Sequence, residues 1–228
     1  MMKLRISSMT IIVFLFVVSC DKKNDITNSQ NGKVSDIDNN SYKTVVIGKQ
    51  TWMAENLRVT KLNDSTPLNY EKNNLLWNKN TTSAYCNYNN ADNPTKEYGC
   101  LYNWYAVNTG KLCPKGYHVP SKSDWVVLNT FLNDSMAALK LKEAGWNHWG
   151  YTVHAGTATN SSSFTALPGG ERTVLGLYDS QGKYGWWWSS TETSYSGANA
   201  IEMNYIDSAM IIQPLSKVYG FSVRCIKD

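Results

Sequence analysis

Tyr42-Lys43-Thr44-Val45-Val46-Ile47 is rich in β-branched residues and reads as a strand. Gly48-Lys49-Gln50 follows as a turn, and Thr51-Trp52-Met53 starts a second strand, so an amino-terminal hairpin is predicted. Residues 61 to 97 are rich in Asn, Thr and Tyr and read as a long irregular region with one or two short strands. Its length alone makes it a functional candidate. Leu101 to Val107 predicts a short helix, and Cys113 to Pro120 a rigid, turn-rich link. Ser121 with Asp124 three residues on forms a capping-box pattern. Behind it Trp125, Leu128, Phe131 and Leu132 share one helical face. Ser135 predicts the cap of another helix through Leu139 and Leu141, ending near Gly145. Beyond Gly150 helix signals fade. Trp186 to Ser190, Ala198 to Asn204, Met210 to Gln213 and Phe221 to Ile226 read as strands, with glycines marking the turns. Hairpin, about two helices, then short strands is the order of an α+β fold with small antiparallel sheets, not of a doubly wound one. No repeat of 20–50 residues is present.

The chain has 228 residues, 42% hydrophobic and 18% charged. That suffices for one sizeable core and excludes a disordered tail. A mean hydropathy of −0.40 excludes a polytopic membrane protein. The net charge of +4 is mild, and the basic residues do not cluster along the sequence, so no nucleic-acid partner is expected.

The amino end reads as an address. Lys3 and Arg5 precede an apolar run from Met9 to Val18, broken only by Thr10. A run of about ten residues is too short to cross a bilayer, which needs about 20. Charge, length and the closing Ser19-Cys20 resemble the lipobox of bacterial lipoproteins, so residues 1–19 are expected to be a signal peptide and Cys20 the lipidated residue. Cleavage would take away Lys3 and Arg5 and no acid, lowering the side-chain charge from +4 to +2. Residues 20–35 are expected to be a flexible tether and 36–228 the folded domain. The expected location is the bacterial cell envelope, lipid-anchored at the outer membrane. The mixture of Asp and Lys after Cys20 leaves periplasmic face or cell surface open. The membrane, through that anchor, is one expected partner.

Five cysteines less the lipidated one leave Cys86, Cys100, Cys113 and Cys225. In an exported protein four allow three disulfide pairings, of which Cys86–Cys100 with Cys113–Cys225 is the first choice. The alternative, a zinc site, lacks the close Cys pairs that such sites use.

Six motifs carry a family resemblance. They are Thr44 to Leu57, Tyr98 to Ala106, Cys113 to Ser121, Phe164 to Arg172, Trp187 to Glu192 and Gly220 to Cys225. Their residues and order resemble the Fibrobacter succinogenes major paralogous (FISUMP) domain, from about Asp36 to Asp228. The resemblance implies an exported, lipid-anchored protein and a distantly C-type-lectin-like fold. In that fold a long-range disulfide joins the first helix region to the last strand, a role Cys113 and Cys225 approximate. Cys100 stands where the family commonly has a long polar residue, which supports an extra local bridge to Cys86.

Chemical motifs are sparse. The acid triplets of calcium lectins are absent, and Trp187-Trp188-Ser189-Ser190 carries no carboxylate, so no cofactor is expected and calcium lacks a motif. Asn89 to Asn93 is oxygen-rich but reads as a solvated loop with Asx turns. His118 reads as a packed structural histidine, and His148 and His154 lie in a Gly/Trp/Tyr loop without a metalloprotease or nearby acid pattern. Glu55, Glu171 and Glu192 are the acids available to an enzyme, and Glu55 and Arg172 read first as fold-specific polar anchors. Trp104, Trp125 and Trp187 read as core. Trp146, Trp149 and Tyr151 lie in a polar loop and are the candidate ligand-binding aromatics. The expected function is non-catalytic binding of a glycan or of an envelope or host protein. A structural or assembly lipoprotein, fimbrial or adhesin-like, is the rival, and an enzyme comes third.

Overall fold

The computed structural model describes residues 32–93, 96–150 and 157–228. The strands are β1 (Gly32–Ser35), β2 (Ser41–Ile47), β3 (Gln50–Met53), β4 (Asn69–Tyr70), β5 (Ala84–Cys86), β6 (Leu101–Tyr102) and β7 (Tyr117–His118). They continue with β8 (Glu171–Arg172), β9 (Tyr178–Asp179), β10 (Tyr184–Ser194), β11 (Gly197–Asn204), β12 (Ile211–Ser216) and β13 (Ile226–Lys227). The helices are α1 (Asn74–Lys79), α2 (Trp104–Val107), α3 (Lys122–Phe131) and α4 (Ala137–Leu141).

The predicted hairpin is β2–β3, turning at Gly48, whose φ of +61° suits a residue without a Cβ. It sits in a five-stranded sheet of order β1-β2-β3-β13-β7, so the chain's last strand lies beside its first hairpin. β1 pairs with β2 from Gly32 to Ser35, so the expected tether ends four residues earlier than its predicted boundary at Ser35. β10-β11-β12 form a second antiparallel sheet, β4-β5-β6 a small mixed one, and β8-β9 a short ribbon. The architecture is α+β with small, mostly antiparallel sheets and short helices.

α3 begins as its sequence predicts. Ser121 accepts from the Asp124 amide, and the Asp124 carboxylate accepts from the Ser121 amide at 2.8 Å. Trp125, Leu128 and Leu132 are buried. Phe131 is 43% exposed and lies over the hairpin turn beside Gly48. The helix predicted from Leu101 starts three residues later, because Leu101 and Tyr102 pair with β5 and Asn103 caps α2 by accepting from the Ala106 amide. The helix after Ser135 ends at Leu141, short of Gly145.

Three consecutive tryptophans on β10 divide the interior. Side chains alternate across a strand, so Trp186 and Trp188 pack with Tyr102, Trp104 and Phe221. Trp187 points the other way, among Trp52, Trp125 and Phe164. Each fully buried indole contributes on the order of 2–3 kcal/mol. A strand buried on both faces has no polar alternation, which is why this stretch reads as a continuous aromatic run.

Cys113 and Cys225 form a disulfide across 112 residues, with Cα atoms 6.0 Å apart. On the chain-entropy account a loop of this length is worth about 4–5 kcal/mol. Cys86 and Cys100 are not bridged; both are buried thiols, contrary to the expected local bridge. The β5–β6 register explains it. Cys86 stands opposite Leu101 and shares its face, with Trp77, whereas Cys100 precedes Leu101 and faces the other cluster with Tyr102.

Among the described residues four buried cations staple the loops. Arg172 donates to the carbonyls of Gly176, Glu71 and Lys72 and lies over Trp77. Lys142 donates to Asn204 and Asp207 carbonyls and lies over Trp149. Lys217 pairs with Glu192 over Trp104, and Arg224 is treated below. Arg172 is thus the polar anchor its sequence context suggests.

Candidate functional site

A groove runs along the β1–β2–β3 end of the amino-terminal sheet. It consists of two adjoining clefts of about 440 and 470 Å³ on the Val45 face of β2, and a third cleft of about 530 Å³ lies on the opposite face, which carries Thr44 and Val46. The first two share Lys43, Ala54, Glu55 and Thr165, and the last two share Gly32, Lys33 and Thr44. Arg224 and Lys96 line the first cleft, and Tyr117 and Lys227 line the third, on the other face.

Tertiary packing fixes the floor of the first cleft. Asn56 is fully buried; its side-chain oxygen accepts from Trp187 Nε1 at 2.9 Å and from Arg224 Nε and Nη2 at 3.2 and 2.9 Å. Its amide donates to the Tyr98 carbonyl at 3.0 Å and to Ser222 Oγ at 3.2 Å. Arg224 also donates to the Phe164 and Thr165 carbonyls and stacks over Phe164. All of these acceptors are neutral. Burial lowers the pKa of the guanidinium to about 9, opposed by the nearby Glu55, so the cation persists at neutral pH. Glu55 lies 3.8 Å from Arg58 Nη1, and its buried Oε2 accepts no hydrogen bond. A carboxylate is thereby held between two guanidiniums with acceptor capacity to spare.

The wall facing the hairpin is strained. Asn160, Ser163 and Thr165 have φ of 47°, 57° and 55°, the left-handed region that side chains disfavour. All three line the second cleft. Asn160 and Thr165 hold each other: the Thr165 amide donates to Asn160 Oδ1 and Asn160 Nδ2 to Thr165 Oγ1, both at 2.8 Å. Residues held in such conformations cost of order 1–3 kcal/mol each and concentrate at functional sites.

Beyond the first cleft, His148 Nδ1 lies 2.7 Å from Glu143 and Nε2 3.8 Å from Glu97, with the Tyr98 ring edge-on. His148 therefore does have acids beside it, one five residues before it and one from the distant loop. His118 is not packed; it lies at the surface between Asp228 at 2.7 Å and Asp124 at 3.5 Å.

The predicted aromatic platform does not form as expected. Trp149 is 2% exposed, with Nε1 donating to the Ala166 carbonyl, so its ring belongs to the core. A polar loop context marks an indole's backbone, not where its large apolar face goes. Trp146 is 46% exposed, and Tyr151 and His154 lie outside the described residues. Trp104, Trp125 and Trp187 are core. Glu55 lines the groove, Glu192 pairs with Lys217, and Glu171 stands across β8–β9 from Asp179. These three carboxylates thus have separate surroundings, and none is hydrogen-bonded to another. Among the described residues no group of three or more His, Cys, Asp and Glu is placed to hold a metal ion.

Glu55 stands out in the sequence as a candidate acid, whereas Lys33, Lys43, Asn160 and Thr165 do not. The polar run Asn160-Ser161-Ser162-Ser163 before a family motif was the available signal for the strained wall. The profile of the family described as Fibrobacter succinogenes major domain matches residues 45–227. No curated protein and no solved structure matches the chain significantly.

Proposed function

The chain belongs to the Fibrobacter succinogenes major domain family, and from that premise we propose that it is a lipid-anchored cell-envelope protein that binds its ligand without transforming it. The anchor is Cys20 at the outer membrane, the domain is C-type-lectin-like, and the ligand is a glycan held in the β1–β2–β3 groove. The strained Asn160–Thr165 wall over a rigid polar floor carries this reading. Its groups are preorganised and offer hydroxyls, an amide, a carboxylate and lysine ammoniums, the donors and acceptors a sugar requires. The lectin-like fold is supported by the last strand closing on the first hairpin and by the Cys113–Cys225 bridge. The separate settings of Glu55, Glu171 and Glu192 favour binding over catalysis.

A glycan array probed with the full-length chain in detergent, in calcium and again in EDTA, tests it. Selective binding that survives EDTA is expected; an array without signal would overturn the reading. The anchor is tested separately, because Cys20→Ala should abolish palmitate labelling.

One observation favours assembly instead. Leu75, Leu76, Leu175 and Leu177 are 75, 57, 62 and 53% exposed. The close approach of Gly176 to Asn74 and the bond from Asn78 to the Val174 carbonyl bring the two pairs together. An apolar patch of this kind marks protein contacts. Leu75→Asp with Leu177→Asp should then dissolve any oligomer seen by light scattering; an unaltered monomer would remove this reading.

A further inference from the structure

We infer that the groove selects an acidic polysaccharide, a chain bearing uronic-acid carboxylates, with Lys33 and Lys43 as its central contact. This rests on the binding reading above and adds the ligand's charge.

Lys33 and Lys43 are direct cross-strand partners in the β1–β2 register, and both are exposed. Directly opposed like charges destabilise a strand pair, because their Cβ atoms lie about 4.5–5.5 Å apart. Among the described residues several other exposed lysines also lack an ion pair, but Lys33 and Lys43 oppose each other directly in the strand register. Lys61, Lys72, Lys111 and Lys217 each pair with a carboxylate. None of the ion pairs among the described residues uses Lys33, Lys43, Lys96 or Lys227. Lys33, Lys43 and Lys96 line the two adjoining clefts, with the Arg224 guanidinium set into their floor, while Lys227 lines the cleft on the other face. A local rule broken without internal compensation is the mark of a functional surface. The compensation is a run of anionic groups from outside, arranged along an extended chain.

Glu55 narrows the class. Its carboxylate can only accept, so the ligand must bring donors as well as negative charge. A phosphate-rich polymer or a simple anion would meet Glu55 and Glu97 as repulsion. An acidic sugar places carboxylates against the lysines and hydroxyls against Glu55.

The test uses the full-length chain in detergent with polygalacturonate and alginate as probes, each beside its carboxyl-reduced, neutral form. At least one acidic polymer should bind and lose about tenfold in affinity on carboxyl reduction. The double variant Lys33→Gln, Lys43→Gln should bind it about tenfold more weakly and with a shallower salt dependence. Relief of the Lys–Lys repulsion should leave that variant's thermal midpoint unchanged or raised, so weakened binding is not misfolding. Equal binding of the neutral polymers would overturn the charge inference and leave the glycan reading standing. Binding only to anionic phosphatidylglycerol vesicles or duplex DNA would overturn both. So would no binding to any probe.

Discussion

The side-chain oxygen of Asn56 accepts two hydrogen bonds from the guanidinium of Arg224, 168 residues away in the chain. The same oxygen accepts from Trp187, so one amide joins the first hairpin, the dividing strand and the carboxy-terminal segment. It also sets the floor of the groove.

Removing that acceptor strands a buried cation. Asn56→Ala leaves Arg224 with only the Phe164 and Thr165 carbonyls, and Trp187 Nε1 with no acceptor. The expected loss is about 3–5 kcal/mol, the range for breaking a buried charge network. Urea unfolding should show it as a lowered midpoint with unchanged slope. A loss under about 1 kcal/mol would mean that the network is not what holds the floor.

The cysteines differ in chemistry. Burial pushes the Cys86 thiol up to about 11 and the Cys100 thiol higher still. In the Cys20→Ala chain, Ellman's reagent should find no reactive thiol in the native state and two after denaturation. Non-reduced peptide maps should show Cys113 linked to Cys225. A Cys86–Cys100 peptide would contradict the β5–β6 register.

Glu171 should make stability depend on pH. Burial, then Asp179 and Glu202, raise its carboxyl from an ordinary 4.5 to about 7. The folded state therefore keeps a proton that the unfolded chain has lost between these values. Stability should fall as pH rises from about 4.5 to about 7 and then level off. Since solvent still reaches this carboxyl, the effect is on the order of 1 kcal/mol. Glu171→Gln should remove this fall, gaining in thermal midpoint above about pH 7 relative to the parent. A parallel pH profile for the two proteins would refute the assignment.

Two glycines with similar backbone angles should respond differently. Gly170 has φ +67°, and an added Cβ would lie 2.5 Å from the Asp179 carbonyl oxygen. Gly116 has φ +79° and open space around it. Gly116→Ala should cost about 1–2 kcal/mol, the left-handed penalty alone. Gly170→Ala should cost clearly more in chemical denaturation, because backbone must also move. Equal costs would show that the β8–β9 ribbon yields easily.

Much of the fold is legible one segment at a time. Ser121 and Asp124 lie within one turn, so the α3 cap needs nothing beyond neighbours in the chain. The hairpin likewise needs only its β-branched run and Gly48. The aromatic run at Trp186–Trp188 announces a buried strand, though not that alternate rings serve different cores. Cys113 and Cys225, the expected long-range pair from the even count of cysteines, are bridged. The other two cysteines failed that logic because one residue of register puts their thiols on opposite faces.

The groove was not legible in this way. Lys33 and Lys43 are ordinary surface residues in sequence and become an opposed pair only through the β1–β2 register. Glu143 and Glu97 reach His148, and Asn56 reaches Arg224, only after distant segments pack. Trp149 reads as a loop aromatic until the Ala166 carbonyl and Lys142 are seen around it. Sequence alone determined the hairpin, the α3 cap, the core tryptophans and the α+β class, because propensity, capping and period act over a few residues. Which charges oppose, which thiols meet and which indole is buried were decided by tertiary structure, because these depend on register and packing between residues tens to hundreds of positions apart.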